Sequence, residues 1–288
     1  MLWWSCKYGL VLAVGVLTAC STHQDSPALA QCAASGCVPK ASTTEGSAGS
    51  GNLLDSGSST LGVSLQVSVA EFLPHTTVGP AAWTAGNVIG LAGDFSVSVP
   101  SVTGLVLTDP PGPSPFSFSG VLINDQSWVS VTPLANPANY YPGIRNIPNT
   151  GPASVTVPLL RKRDLDFIST LLSTQPLVYD ATRAQVVVKI VDVDGNGIAG
   201  ARVSIPDAQG IAYSDVGLWI DSSANPFTDP SGLVFAINVP RNVPASTLPG
   251  SFVTVTAVGP NALGTSVTVS GSVPILAGSV SYGTVLIQ

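Results

Sequence analysis

Asp192-Val193-Asp194-Gly195-Asn196-Gly197 carries side-chain oxygens at alternate positions. This is the spacing with which a tight loop wraps a calcium ion. Asp192, Asp194 and Asn196 are therefore candidate ligands of a weak calcium site, with Asp215, Asp221 or Asp229 available to add a carboxylate. A twelve-residue calcium loop closes on a bidentate glutamate. Counted from Asp192 that position is Val203, so the same residues also read as a tight hairpin turn in which glycines supply positive φ.

Acid–base chemistry has few carriers. Of two histidines, His23 lies in a Ser/Ala/Gly-rich stretch and His75 between Pro74 and Thr76, where Glu71 is its nearest acidic partner in sequence. The chain contains no H-E-x-x-H, G-x-S-x-G, C-x-x-C or phosphate-binding glycine loop. No catalytic residue is assigned, and the chain reads as non-enzymatic. Cys32 and Cys37 can close a small loop as a disulfide in an oxidising compartment, or remain two thiols. A zinc site lacks further ligands. Trp83, Trp128 and Trp219 with Tyr140-Tyr141 offer either a carbohydrate-binding face or core filling. Tyr140 and Tyr141, flanked by Pro137 and Pro142, are the pair expected at the surface as a ligand face. Arg161-Lys162-Arg163 is either a small site for anionic lipid or polysaccharide, or a solvated connector.

The composition bounds these choices. Only 9% of residues are charged and 45% are apolar, with 10 Lys+Arg against 16 Asp+Glu. A net charge of −6 excludes nucleic acid as a natural partner, because phosphate binding needs a basic face. Beyond residue 20, Pro and Gly interrupt every apolar run well short of the roughly 20 residues that span a bilayer.

The positioning elements are strands. Val63, Leu65, Val67 and Val69 alternate with polar or small residues, as do Phe95, Val97 and Val99. Leu105-Val106-Leu107 and Phe116 to Ile123 follow, separated by Asp109-Pro110-Pro111-Gly112-Pro113, expected to break the chain. Trp128 to Val131 and Val155 to Val157 complete a first sheet unit. Asp164 is expected to cap a helix with Leu165, Ile168, Leu171 and Leu172 on one face. A second unit opens at Ala184, with Val186, Val188 and Ile190 facing one side and Gln185, Val187 and Lys189 the other. Ala201, Val203 and Ile205 form its return strand. Strands are also expected over Leu233 to Val239, Phe252 to Ala257, Ser266 to Val273 and Tyr282 to Ile287. Gly93 to Pro100 echoes Gly232 to Pro240, which favours tandem units.

The N-terminus adds an address. Lys7, an apolar run from Tyr8 to Leu17, and Leu17-Thr18-Ala19-Cys20 resemble a bacterial lipoprotein signal peptide ending in a lipobox. The resemblance implies loss of residues 1–19, covalent lipid at Cys20 as the only prosthetic group, and the lipid bilayer as a partner. Ser21 after the cysteine points to the outer membrane rather than the inner. Residues 20–60 are Ser-, Gly- and Ala-rich and read as a disordered tether with a reach of roughly 30–40 Å.

A second resemblance rests on Asp192-x-Asp194-Gly195-x-Gly197…Gly200-Ala201-x-Val203 and Thr228-Asp229-x-x-Gly232. Residues 184–288 resemble the carboxypeptidase regulatory-like domain, a small transthyretin-like or Ig-like β-sandwich. That family implies no catalytic residues of its own. The expected architecture is all-β: signal peptide 1–19, tether 20–60, one antiparallel β-sandwich at 61–160, a connector with a short helix at 161–183, and a second sandwich at 184–288. The expected role is a lipid-anchored, non-catalytic binding or scaffold protein of the bacterial envelope, periplasmic or surface-exposed, with an envelope protein or glycan as further partner. The alternatives are a spacer subunit of an envelope assembly, or a carbohydrate- or peptide-binding accessory to a secreted hydrolase.

Overall fold

The computed structural model describes residues 62–74, 88–134, 138–148, 154–172, 177–241 and 251–288. Cys20, Cys32, Cys37, His75 and Trp83 lie outside these residues. All described residues belong to one compact unit, Gly57–Gln288.

The first half contributes β1 (Val63–Phe72), β2 (Val88–Gly90), β3 (Asp94–Pro100), β4 (Val106–Pro113), β5 (Phe116–Val121), β6 (Trp128–Pro133), β7 (Gly143–Asn146) and β8 (Ser154–Leu159). Helix α1 (Lys162–Leu171) follows. The second half contributes β9 (Ala184–Val191), β10 (Arg202–Ser204), β11 (Gly210–Asp215), β12 (Leu218–Asp221), β13 (Leu233–Val239), β14 (Ser251–Pro260), β15 (Ser266–Ile275) and β16 (Val280–Leu286). The fold is all-β and sandwich-like, with one short helix among the described residues, between the halves.

A nine-stranded sheet in the order β12-β11-β13-β9-β16-β7-β6-β3-β4 runs through both halves. A four-stranded sheet joins β2, β5 and β8 to β1, and a three-stranded sheet runs β10-β14-β15. Most pairs are antiparallel; β1–β8, β16–β7 and β16–β9 are parallel. Each half keeps its own core. Leu65, Val67, Val97, Val131 and Val157 lie in the first, and Val186, Val188, Val234, Val255 and Val285 in the second. A third core draws on both halves, including Phe72, Leu165, Val187, Phe235 and Tyr282. β9 shows why two cores can meet there. Its eight residues are all buried, with Val186, Val188 and Ile190 in one core and Val187 in the other. Burying each such side chain contributes about 1.5–3 kcal/mol.

Three expectations change. Asp109 to Pro113 does not break the chain but lies within β4. Among the described residues β4 is the last strand of its sheet and pairs only with β3, and it shifts register between Phe95 and Val97. Proline lacks the ladder N–H, so an edge and a bulge are where a strand tolerates it. The Asp194–Gly197 turn does not lead into a hairpin. A single bridge, Val191↔Gly197, closes it, and β10 crosses to the three-stranded sheet to pair with β14. Finally, Arg161 rather than Asp164 is the N-cap residue of α1, and its side chain makes no capping bond. Asp164 sits in the first turn beside Arg163, at 3.6 Å. Leu165, Ile168 and Leu172 are buried, whereas Leu171 is exposed.

Candidate functional site

The strongest polar constellation sits where the halves meet. Glu71 occupies the inward parity of β1, in line with Leu65, Val67 and Val69, and is only 4% exposed. A buried carboxylate needs partners, and two segments supply them. The chain around Tyr140 runs beside the start of α1, with Tyr141 N–H donating to Leu160 O at 3.0 Å and Lys162 N–H to Asn139 O at 2.9 Å. This places Tyr140 and Arg161 as an isolated antiparallel bridge. Tyr140 Oη and Arg161 Nη2 each donate to Glu71 Oε2 at 2.7 Å, and Arg161 Nε donates to Tyr140 Oη at 3.3 Å. The guanidinium carbon lies 6.0 Å from the Tyr140 ring centre.

The electrostatics follow this geometry. Burial, then the hydrogen bond to Glu71, raises the Tyr140 pKa above its ordinary value. The hydrogen bonds to Tyr140 and Glu71 raise that of Arg161. Glu71 thus serves as an acceptor for two donors, and its contacts give it a binding role between segments. Two clefts flank the triad, of ≈ 450 Å³ beside Arg161, Arg163 and Asp166, and of ≈ 370 Å³ beside Tyr141, Pro142 and Tyr179. Tyr140 and Lys162 line both.

The expected ligand face is therefore split. Tyr140 is half-buried and reaches the clefts, but Tyr141 is a core residue, 7% exposed, with its ring 4.8 Å from that of Tyr179. Burial pushes its hydroxyl pKa far above the usual range. Adjacent in the chain, the two rings meet different surroundings, Tyr140 on Glu71 and Tyr141 on Tyr179. Trp128 and Trp219 are also core residues. Trp219 Nε1 donates to Pro74 O at 2.8 Å, and its ring meets Phe235 edge-on. Of the basic run, Arg161 is tied to Glu71, Lys162 lies 5.6 Å over the Tyr141 ring, and Arg163 is exposed.

The candidate calcium residues are placed as a turn. Asp192 Oδ1 accepts the N–H of Asp194 at 3.0 Å and of Asn196 at 2.8 Å, while Asn196 Nδ2 donates to Asp192 Oδ2 at 3.2 Å. These hydrogen bonds, led by the Asn196 amide, lower the Asp192 pKa. Asp194 and Asn196 are exposed. Asp229 is turned elsewhere, accepting from Val216 N–H at 2.9 Å and from both the N–H and hydroxyl of Ser231. Asp221 accepts the Ser223 N–H at 2.7 Å. Among the described residues no three acidic, histidine or cysteine side chains gather as a metal site.

The paired motifs that carried the second resemblance instead interlock. Thr228 N–H donates to Ala201 O at 2.9 Å, and Gly200 N–H to Thr228 O at 2.7 Å. The Thr228 hydroxyl donates to Ile198 O at 2.6 Å and accepts the Ala201 N–H at 2.9 Å. Gly232, at φ 67°, lies so close to Ile190 O and Gly197 that a Cβ has no room.

Two further polar groups carry no motif. Gln185 and Asn238 bond reciprocally through buried side chain and backbone, with Asn238 at φ 54°. Lys189 is wholly buried, and desolvation lowers its pKa to about 8. Glu71 was accessible from the sequence, because it continues the inward alternation of β1; the partners that it finds were not.

No protein-family model and no curated protein matches the chain. Among solved structures it is similar to two mutant forms of the shaft pilin SpaA from Lactobacillus rhamnosus GG. Each is 13% identical with a TM-score of 0.23, covering 78% and 79% of this chain and 97% of the pilin. It is also similar to the Bacillus anthracis TIE protein, 12% identical with a TM-score of 0.20, over 78% of this chain and 34% of that one. Superpositions at these values assign neither a fold nor a function.

Proposed function

We propose that the chain is a bacterial envelope lipoprotein whose folded part is a non-catalytic structural module tethered within reach of the membrane. Residues 1–19 are removed, Cys20 carries the lipid, and residues 20–60 form the tether, with the outer membrane as the address. A structural role is supported above all by the parallel pairing of β16 with β7, through Val280↔Gly143, Ser281↔Ile144 and Tyr282↔Arg145. A shared sheet resists hinging between the halves, as a spacer requires, and the Glu71–Tyr140–Arg161 triad adds a second tie. The half-buried face around Tyr140 and Lys162 is the surface offered to an envelope protein or glycan.

Two experiments test the two parts separately. Metabolic labelling with a fatty acid should mark the wild type and not Cys20→Ala; an unlabelled wild type, or equal label on both, removes the anchor. Single-tryptophan variants retaining Trp128 or Trp219 report the two halves. Coincident urea midpoints are expected of a fused module, and well-separated midpoints mean independent domains and no rigid spacer.

A further inference from the structure

A third cleft lies where β7 ends. The pairing of β7 with β16 stops at Tyr282, yet β16 continues to Leu286 with β9 on its other side. Among the described residues no strand pairs the remaining edge of β16 from Gly283 to Leu286. A cleft of ≈ 420 Å³ opens beside this edge, lined by Arg145, Asn146, Asp125, Ser272, Thr284 and Leu286 among others. Arg145 Nη1 donates to Thr156 O at 2.6 Å, and no carboxylate of the described residues pairs with the guanidinium. Burial lowers its pKa to about 10, so the cation is desolvated without a compensating charge. Asn146 Nδ2 donates to Ser272 O at 2.7 Å, leaving its Oδ1 buried and without a hydrogen-bond partner. The cleft thus combines a guanidinium fork suited to a carboxylate, an acceptor that needs an N–H donor, and an open strand edge.

We propose that this cleft binds the carboxyl-terminal end of an extended peptide, with its carboxylate on Arg145, a backbone N–H on Asn146 Oδ1, and its chain along the β16 edge at Thr284 to Leu286. Backbone pairing at a sheet edge and capture of a terminal carboxylate are recurring modes of peptide recognition. Inorganic phosphate would leave Asn146 Oδ1 without an amide donor. Leu286, 41% exposed, supplies apolar contact for a side chain.

The test is calorimetric titration of the full mature chain with N-acetyl-triglycine as free acid, its carboxamide, acetate and glucuronate. The free acid should bind about tenfold or more tightly than the other three, as expected if the charge-assisted contact and the strand both contribute. Arg145→Lys and Asn146→Leu should each weaken it by a similar factor with unchanged near-ultraviolet circular dichroism. No binding of the free acid to folded wild type, equal binding of acid and carboxamide, or equal binding of acetate or glucuronate overturns the proposal. If either variant fails to fold, the acid-to-carboxamide ratio on the wild type decides alone.

Discussion

Arg161 Nη2 donates to Glu71 Oε2 at 2.7 Å although the two residues are 90 positions apart in the chain. The bond ties the end of β1 to the start of α1, and Tyr140 completes it from the approach to β7. Removing one partner of a buried pair leaves an uncompensated charge, a loss of about 3–5 kcal/mol when burial is complete. Glu71 is buried but the Arg161 side chain is 32% exposed, so Arg161→Ala should cost roughly 2–3 kcal/mol. Tyr140→Phe should cost about 1 kcal/mol. A paired Glu71→Leu, Arg161→Met variant should recover much of the loss. Urea unfolding of the three proteins checks the order, and a double variant less stable than Arg161→Ala contradicts it.

Lys189 and the buried tyrosines set opposing pH dependences. The Lys189 pKa falls from 10.5 to about 8 on folding through desolvation. Below about pH 8 both states hold the proton; from there to the unfolded value only the unfolded chain does, so stability rises with pH. The gain is on the order of 3 kcal/mol. Tyr282 and Tyr213 have pKa values raised chiefly by burial. They stay protonated in the native state while unfolded tyrosines ionise, so stability falls above about pH 10. Urea midpoints should therefore pass through a maximum between these limits, and Lys189→Met should abolish the rising limb. Parallel curves for wild type and variant across that limb would contradict the assignment.

Thr228 and Gly232 lock two loops of the second half. Thr228→Val strands the buried Ala201 N–H and Ile198 carbonyl, each about 1–3 kcal/mol. Gly232→Ala combines a disfavoured φ with overlap on Ile190 O and should be the more damaging. Thermal unfolding measures both, and a Gly232→Ala protein as stable as wild type would show that the loops can separate.

The Asp192 carboxylate is occupied by turn amides, so Asp192→Ala should lower the melting temperature equally with and without millimolar calcium. A calcium-dependent rise in the wild type that disappears in the variant would instead restore the metal reading of Asp192, Asp194 and Asn196.

Alternation alone determined a great deal. Val63 to Val69 and Phe95 to Val99 are strands because period-2 apolar residues bury a face wherever the chain is extended, and Val186 to Ile190 and Leu233 to Val239 are short apolar runs buried on both faces. The short helix was legible from Leu165, Ile168 and Leu172, and the turn at Asp192–Gly197 from its glycines. These are local properties, set within a few residues. What lay beyond the sequence depends on neighbours distant in the chain. An edge position made a strand of Asp109 to Pro113; only the pairing of β3 with β4 defines that edge. The destination of β10 followed from which sheet had an open partner. Tyr140 and Tyr141 look alike in sequence, yet one meets Glu71 and the other Tyr179, residues 69 and 38 positions away that only the fold brings beside them. The join between the halves, through Val280 to Tyr282 on Gly143 to Arg145, required strands over a hundred residues apart to find each other. Alternation gives a strand its faces, but a backbone edge is chemically the same along every strand, so only the tertiary fold decides what pairs with it.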